Sequence, residues 1–195
     1  KKKNQFYYQD KKTKIKLNTK NVFSKGMLEN VCLAIKIALD LNISKKIIQK
    51  TLPKLSFEGR FQYLNKGKIK EKLFRNESIM IDGAHATADA KNLAAYLKNQ
   101  KIPKYGIWAM TKNKEPDLFI KQLRGIFKKV VTMPIENELN CVSANNLLKI
   151  ATKNKFKAEK SSNLTEALNK ISSDEKKLIV CFGSLYNCGN ILNKN

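Results

Sequence analysis

The sequence is poor in several residues that would indicate particular protein classes. It has one histidine, one tryptophan and four cysteines in 195 residues. The cysteines show no C-x-x-C spacing, so neither a metal-ligating set, a redox pair nor a disulfide framework is indicated. No run approaches the roughly 18 consecutive apolar residues of a bilayer span, and the first 20 residues are polar and basic without a secretory pattern. We therefore predict a cytoplasmic protein without a membrane partner.

Acidic residues are also scarce, since 16 Asp and Glu stand against 39 Lys and Arg, giving a formal net charge of +23. Such an excess is typical of nucleic-acid-binding proteins, whose cations displace counterions from phosphates. Only three of these cations are arginine, however, and the 36 lysines are spread over the whole length. Specific recognition favours the bidentate fork of arginine. We expect no specific nucleic-acid partner. A basic nucleic-acid-binding protein is kept as a hypothesis, ranked third behind the two that are given below.

From residue 78 onward, apolar runs alternate with helical patterns, which is typical of a parallel sheet covered by helices. Nearly uniform apolar runs are expected for strands buried on both faces. The predicted strands are 78–82, 105–110, 129–133 and 177–182, with a shorter one at 156–158. The predicted helix starts are a cap at Thr87, Pro116 at a first helical position, and caps at Ser143 and Asn163. This pattern predicts an α/β domain with three layers.

The last predicted helix carries Leu185, Cys188 and Leu192 on one apolar face. The first part of the chain has a different pattern, with weak strands at 5–8 and 14–17 before a strong helix and a second helix opened by Ser44. Two weak strands and two helices cannot bury enough apolar surface alone. We therefore predict a truncated domain over 1–57 and a second domain over 58–195.

Polar residues follow several predicted strands, at the sheet edge where ligands of open α/β folds collect. The first predicted strand ends in Asp82, and His85 lies three residues later. Both can accept from a ribose hydroxyl, bind Mg²⁺ through water or contact a phosphate. A strand-end turn residue and a first-turn histidine are the alternatives. Lys114 is either a ligand-facing cation or a solvated lysine. Ser184 either binds an anion at a helix start or is a plain N-cap.

The pair Gly59-Arg60 lies at the predicted domain junction. Glycine permits an unusual backbone angle there, and the guanidinium of Arg60 can reach a phosphate with a bidentate fork. The alternative for Arg60 is a structural ion pair. Because the sequence has so few arginines, we weigh Arg60 above any single lysine.

Three segments in order resemble motifs of the folylpolyglutamate synthase/dihydrofolate synthase family, in the Mur ligase superfamily, and two further segments correspond to it in position. Residues 57–62 resemble P-G-R-F/L-E/Q, residues 79–85 resemble L-D-G-A-H-N, and residues 183–186 resemble G-S-L/F-Y. Residues 109–115 are similar to G-M-x-x-D-K-D, and residues 30–34 lie where the family has H-Q-x-x-N-A-x-x-A. The resemblance covers essentially the whole chain.

The resemblance implies a ligase that uses ATP and Mg²⁺ to phosphorylate a folate or dihydropteroate carboxylate, giving an acyl phosphate that the amino group of L-glutamate attacks. It implies a Rossmann-like, mostly parallel sheet with helices on both faces over 58–195, preceded by the truncated end of a central ligase domain. The implied roles are Asn30 at the adenine, Arg60 at the phosphates, Asp82 and His85 as catalytic groups near the ribose or γ-phosphate, and Lys114 and Ser184 at the glutamate or phosphate.

The chain also departs from the family pattern. Gly26-Met27 stand in place of His-Gln, Ala86-Thr87 in place of Asn-Pro, and Asn113 and Glu115 in place of two aspartates. No G-x-x-x-x-G-K-[ST] motif occurs, so the cradle for the β- and γ-phosphates is missing from this sequence. We therefore hold a second hypothesis: a non-catalytic remnant or complementing subunit that binds nucleotide or glutamate and needs a partner chain carrying the P-loop half. By resemblance we expect a monomer.

Overall fold

A short antiparallel hairpin and two helices form the first of two compact units, Lys1–Phe57 and Glu58–Asn195, into which the computed structural model divides the chain. The structure describes residues 6–17 and 22–195, and the Gln5 end of the predicted first strand lies outside them. The elements of the first unit are β1 (Phe6–Gln9), β2 (Lys14–Leu17), α1 (Lys25–Asp40), α2 (Lys45–Thr51) and a 3₁₀ turn (Leu52–Lys54).

Side-chain hydrogen bonds define the turns and helix starts of this unit. The Asp10 carboxylate accepts from the backbone N–H groups of Lys12 and Thr13, at 2.9 and 2.7 Å, and so closes the hairpin. Ser24 caps α1, and the predicted cap Ser44 accepts from an N–H in the first turn of α2. The core of the unit lies between the hairpin and one face of each helix.

The second unit contains a six-stranded sheet in the order β3-β4-β8-β5-β6-β7. The short edge strand β3 pairs antiparallel to β4, and every other pairing is parallel. The strands are β3 (Gln62–Tyr63), β4 (Glu77–Asp82), β5 (Lys104–Trp108), β6 (Lys129–Thr132), β7 (Ala158–Lys160) and β8 (Lys177–Phe182). The helices are α3 (Lys68–Glu71), α4 (Thr87–Lys98), α5 (Pro116–Lys121), α6 (Ala144–Lys153), α7 (Leu164–Asn169) and α8 (Leu185–Lys194).

Alternate residues of a strand point to opposite faces of the sheet. Because successive residues of the central strands are apolar, both faces are covered by helices. Ile79 and Cys181 belong to a cluster that includes buried residues of α7 and α8. Trp108 and Phe182 stack in series with Phe119 of α5, with ring centroids 6.1 to 6.5 Å apart. The predicted α/β class with a mostly parallel sheet is confirmed.

Three local predictions were wrong. The N-cap of α4 is Ala86, not Thr87, because the Asp89 carboxylate accepts from the N–H groups of His85 and Ala86 and so starts the helix one residue earlier. The short edge strand β7 begins at 158, where strand 156–158 was predicted to end. The inward face of α8 contains Asn187, while Leu185 is 45% exposed.

A buried ion pair joins the amino ends of β4 and β8. Glu77 and Lys177 are direct neighbours across the two strands, with Nζ 3.7 Å from Oε1 and both side chains at most 1% exposed. The Glu77 carboxylate accepts from the Ser173 N–H, and the Lys177 ammonium donates to the Ile171 carbonyl at 2.9 Å. The two charges are therefore paired and hydrogen-bonded, as burial requires. Among the described residues, no helix is both long and apolar enough to cross a bilayer.

We predict that Lys177→Met lowers the free energy of unfolding by about 3 kcal/mol, because the substitution leaves the Glu77 carboxylate buried without its cation. Denaturant unfolding followed by circular dichroism measures the change. The matched control is Lys153→Met, which breaks an exposed pair with Asp117 and should cost less than about 1 kcal/mol. Equal losses in the two variants would contradict the assigned role of the buried pair.

Candidate functional site

The carboxyl ends of β4, β5 and β8 surround a hollow of about 340 Å³ in the second unit. His85 follows β4, Lys114 follows β5 and Ser184 follows β8, and all three line this hollow. The structure thus brings together three of the residues singled out in the sequence. Parallel strands explain the meeting, since their carboxyl ends lie at the same edge of the sheet.

Asp82 lies at the end of β4 and is 1% exposed. One carboxylate oxygen accepts from the Phe61 N–H and the other from the Ala84 N–H, both at 2.8 Å. Burial raises the pKa of Asp82 to about 6, against the opposing effects of these two N–H donors and of the nearby Arg60 guanidinium. Both oxygens are therefore engaged with the backbone, and Asp82 holds the surrounding loops in place.

The junction residues 59–61 are fastened to the end of β4. Gly83 donates its N–H to the Gly59 carbonyl at 2.6 Å, beside the bond from Phe61 to Asp82. Gly59 and Phe61 both have positive φ, +66° and +47°, which for phenylalanine is a strained conformation that the Asp82 bond stabilises. A buried carboxylate, rather than local sequence preference, thus sets the path of this segment.

Arg60 and His85 meet at one carboxylate, that of Asp89 on α4. The guanidinium of Arg60 lies 3.7 Å from Asp89 Oδ2, and the same oxygen accepts from the His85 N–H at 3.2 Å. The structural ion pair considered for Arg60 is present, although its side chain is still 29% exposed. This pairing positions the guanidinium beside the loop that carries His85.

The imidazole of His85 is oriented by its own loop. Its Nδ1 lies 2.7 Å from the Gly83 carbonyl, which can only accept, so Nδ1 carries the proton in the neutral ring. Nε2 is then the ring nitrogen that can interact with a ligand. The side chain is 28% exposed.

Two loops form the opposite wall of the hollow, and they are bound to each other. Lys112 donates its N–H to the Asn140 carbonyl at 2.7 Å, and Val142 donates to the Met110 carbonyl at 2.8 Å. These bonds place Glu138 and Asn140 beside Lys114. Sequence reasoning missed Glu138 and Asn140 because they lie several residues beyond the end of β6. The one feature of the sequence that could have indicated them is their place in the loop after β6, because loops that follow parallel strands lie at the carboxyl edge of the sheet.

Gly183 and Ser184 form the turn between β8 and α8. Gly183 has a φ of +108°, and a Cβ there would lie 2.3 Å from the Ala109 carbonyl oxygen, so the position requires glycine. Ser184 occupies the N-cap position, yet its side chain makes no capping hydrogen bond. By contrast, the Oγ of Ser143 accepts from an N–H of α6. Ser184 thus occupies the N-cap position without making the N-cap hydrogen bond, and the residue lines the hollow.

Asn30 lies in the first unit, at an exposed position on α1. Its assigned contact with an adenine stays a prediction, as do the roles assigned to the other site residues.

The hollow fits anionic groups better than a metal ion. Within residues 6–17 and 22–195, no cluster of three or more His, Cys, Asp or Glu side chains has the geometry to hold a metal. Asp82, the carboxylate nearest the strand end, has both oxygens occupied by N–H groups. Lys114, Ser184 and His85 instead offer an ammonium, a hydroxyl and an imidazole, which suit phosphate or carboxylate oxygens. The hollow therefore offers no all-protein cage for a metal. Glu138 is the one carboxylate among the described residues that line it, so Mg²⁺ there would need phosphate oxygens as further ligands.

An α/β domain with polar side chains at the carboxyl edge of a parallel sheet has the architecture of a ligand-binding domain. The family model for the dihydrofolate synthetase C-terminal domain matches residues 65–194. The chain belongs to this family. The match includes Asp82, His85, Lys114 and Ser184. No curated protein matches the sequence significantly.

Solved structures show the same fold. Folylpolyglutamate synthase of Mycobacterium tuberculosis complexed with ADP is 18% identical with a TM-score of 0.77, covering 95% of this chain and 42% of that one. The bifunctional folylpolyglutamate synthase/dihydrofolate synthase of Yersinia pestis complexed with AMPPNP and Mn is 16% identical with a TM-score of 0.74, covering 96% and 43%. Folylpolyglutamate synthase of Thermotoga maritima is 25% identical with a TM-score of 0.63, covering 87% and 38%. The chain thus spans about two fifths of the structures it matches.

We predict that the Asp82 carboxyl titrates near pH 6. Because its pKa is higher in the folded than in the unfolded chain, the folded state binds more protons between about pH 4 and 6, and the free energy of unfolding falls as pH rises through that window. Relative to Asp82→Asn, the wild type should lose about 2 kcal/mol between pH 4 and 7. The ¹³Cγ resonance and urea unfolding at several pH values test this. A midpoint near 4, with parallel stability curves for the two proteins, would contradict it.

We predict that Gly183→Ala destabilises the second unit more than Gly125→Ala does. Both glycines have positive φ, but a Cβ at Gly183 meets the Ala109 carbonyl, whereas nothing lies within 4 Å of one at Gly125. Gly125→Ala should cost about 1 kcal/mol from backbone strain alone. Thermal unfolding compares the two, and similar losses would show that the close approach to Ala109 is unimportant.

Proposed function

We propose that this chain is the carboxyl-terminal portion of an ATP-dependent ligase that adds L-glutamate to folate or dihydropteroate through an acyl phosphate. The observation that carries the proposal is the meeting of His85, Lys114 and Ser184 in one hollow, in a chain of the dihydrofolate synthetase family. The fold neighbours complexed with ADP, or with AMPPNP and Mn, support a nucleotide as the co-substrate.

The proposed work of the hollow is to bind and orient anions. The Lys114 ammonium and the Ser184 hydroxyl would hold a carboxylate of glutamate or a phosphoryl oxygen, and Nε2 of His85 would contact the same group. Reactions that transfer a phosphoryl group and then an acyl group depend mainly on positioning and charge stabilisation. Fixed donors at the sheet edge are suited to both.

Arg60 and Asp82 would act together in this reaction. Arg60 is held beside the His85 loop by Asp89, and its partly exposed guanidinium can bind a phosphate. Asp82 would contribute by fixing the backbone of residues 59–61 and 82–84, since both of its oxygens are engaged there. Mg²⁺ would accompany the nucleotide phosphates, because Glu138 is the one carboxylate among the described residues that line the hollow.

A second candidate function is a complementing or non-catalytic subunit that binds nucleotide or glutamate. An exposed apolar stripe along α1 favours it, because such a stripe can pack against a further polypeptide. Leu33, Ile37 and Leu41 form a stripe at i, i+4 and i+8 and are 61%, 51% and 70% exposed.

We predict that mixing the chain with a polypeptide carrying the P-loop half of a folylpolyglutamate synthase yields ATP-dependent addition of labelled L-glutamate to folate or dihydropteroate. Lys114→Ala should lower the rate of the mixture roughly 10- to 100-fold, because a charge-assisted hydrogen bond is lost. Lys112→Ala is the matched control, since Lys112 is an exposed lysine of the same loop outside the hollow.

The outcomes separate the two candidates. Glutamate addition that depends on Lys114 and not on Lys112 supports the ligase. Nucleotide or glutamate binding to the chain, measured by calorimetry, without any addition in the mixture leaves the non-catalytic subunit. Neither binding nor addition would overturn both.

A further inference from the structure

A second cleft lies at the carboxyl ends of β6 and β7. The residues of α8 that line it are different from those that line the hollow. Its volume is about 410 Å³, which is within the range of small-molecule sites. Met133, Leu164 and Ile191 form apolar walls and are at most 8% exposed. The hollow is lined by Leu185 and Tyr186, whereas Asn187 lines this cleft.

Asn187 is the unexplained polar residue of the cleft. It is 1% exposed, and its Nδ2 is buried without a hydrogen-bond partner among the described residues. Buried donors are nearly always paired, because an unpaired one keeps its full desolvation cost. An apolar side chain would avoid that cost at this position. The amide donor therefore points to an acceptor that enters the cleft from outside.

The other polar groups of the cleft are already committed. Asn190 Nδ2 donates to the Glu136 carbonyl at 2.7 Å, and the Lys194 ammonium pairs with the Glu136 carboxylate. Asn163 caps α7 by accepting from the Glu166 N–H at 2.9 Å. Asn187 is thus the buried donor of the cleft that has no partner among the described residues.

The charge around the cleft favours an anion. Glu136 is neutralised by Lys194, and an adjoining groove, which shares Leu164 and Lys194 with the cleft, adds Lys68 and Lys72 against Glu71, a net single positive charge. The formal charge of the whole chain is +23. A field of this sign raises the local concentration of anions.

We propose that this cleft binds a small monocarboxylate with an apolar body, whose carboxylate accepts a hydrogen bond from Asn187 Nδ2 while the body packs on Met133, Leu164 and Ile191. The site is separate from the hollow and does not depend on the proposed ligase function.

The test uses the 195-residue chain and two probes of the same shape, benzoate and benzylamine. NMR titration should show saturable shifts of the Leu164 and Ile191 methyl groups and of the Asn187 side-chain amide with benzoate, and none with benzylamine. Equal responses to both probes would show nonspecific contact. No response to benzoate would show that the cleft holds water alone. Either result overturns the proposal.

A variant pair tests the assigned donor. Asn187→Leu keeps the branched shape of the side chain and removes the amide, so the affinity for benzoate should fall roughly tenfold or more, as for loss of a hydrogen bond to a charged group. Asn145→Leu, an exposed asparagine of α6 outside the cleft, should bind as the wild type does. Equal affinities of the two variants would overturn the role of Asn187. If Asn187→Leu does not fold, the benzoate and benzylamine titrations of the wild type decide.

Discussion

The candidate site depends on the buried carboxylate of Asp82. It accepts backbone N–H groups from both sides, from Phe61 at the start of the second unit and from Ala84 after β4. Because these bonds hold Phe61 at positive φ, they also fix the backbone position from which the side chain of the neighbouring Arg60 extends to Asp89. Burial favours the protonated acid, while the two N–H donors favour the carboxylate. The geometry of the hollow's rim is therefore linked to the ionisation of one group beneath it.

The strands and helix starts were predictable where the local signal is strong. β8 matches its predicted range of 177–182 because every residue of it is buried, and the nearly uniform apolar run that follows Lys177 has few other interpretations. Ser143 and Asn163 cap α6 and α7 as predicted, since each side chain accepts from an N–H within its own helix. Thr87 was wrong because Asp89, a residue inside the first turn, supplies the acceptor instead.

The candidate site was partly predictable, for a topological reason. The rule that ligands collect at the carboxyl ends of parallel strands led to His85, Lys114 and Ser184, which share one hollow. The rule does not identify Glu138 and Asn140, which reach the hollow through backbone bonds between two loops. Nor does apolar periodicity predict Asn187, because a polar residue on the inward face of α8 contradicts the pattern on which such predictions depend.

The two outermost strands of the sheet are its shortest, β3 with two residues and β7 with three. An outer strand offers unpaired N–H and C=O groups to any neighbouring chain, and proteins limit this exposure by shortening such strands and placing lysines on them. β7 carries Lys160, and α7 begins four residues later at Leu164. The edge strands thus offer a second copy of the chain few backbone groups for hydrogen bonding. The positive net charge of both copies also opposes their approach. Both the shortness of the edge strands β3 and β7 and the repulsion between lysine-rich chains therefore oppose pairing of two sheets edge to edge.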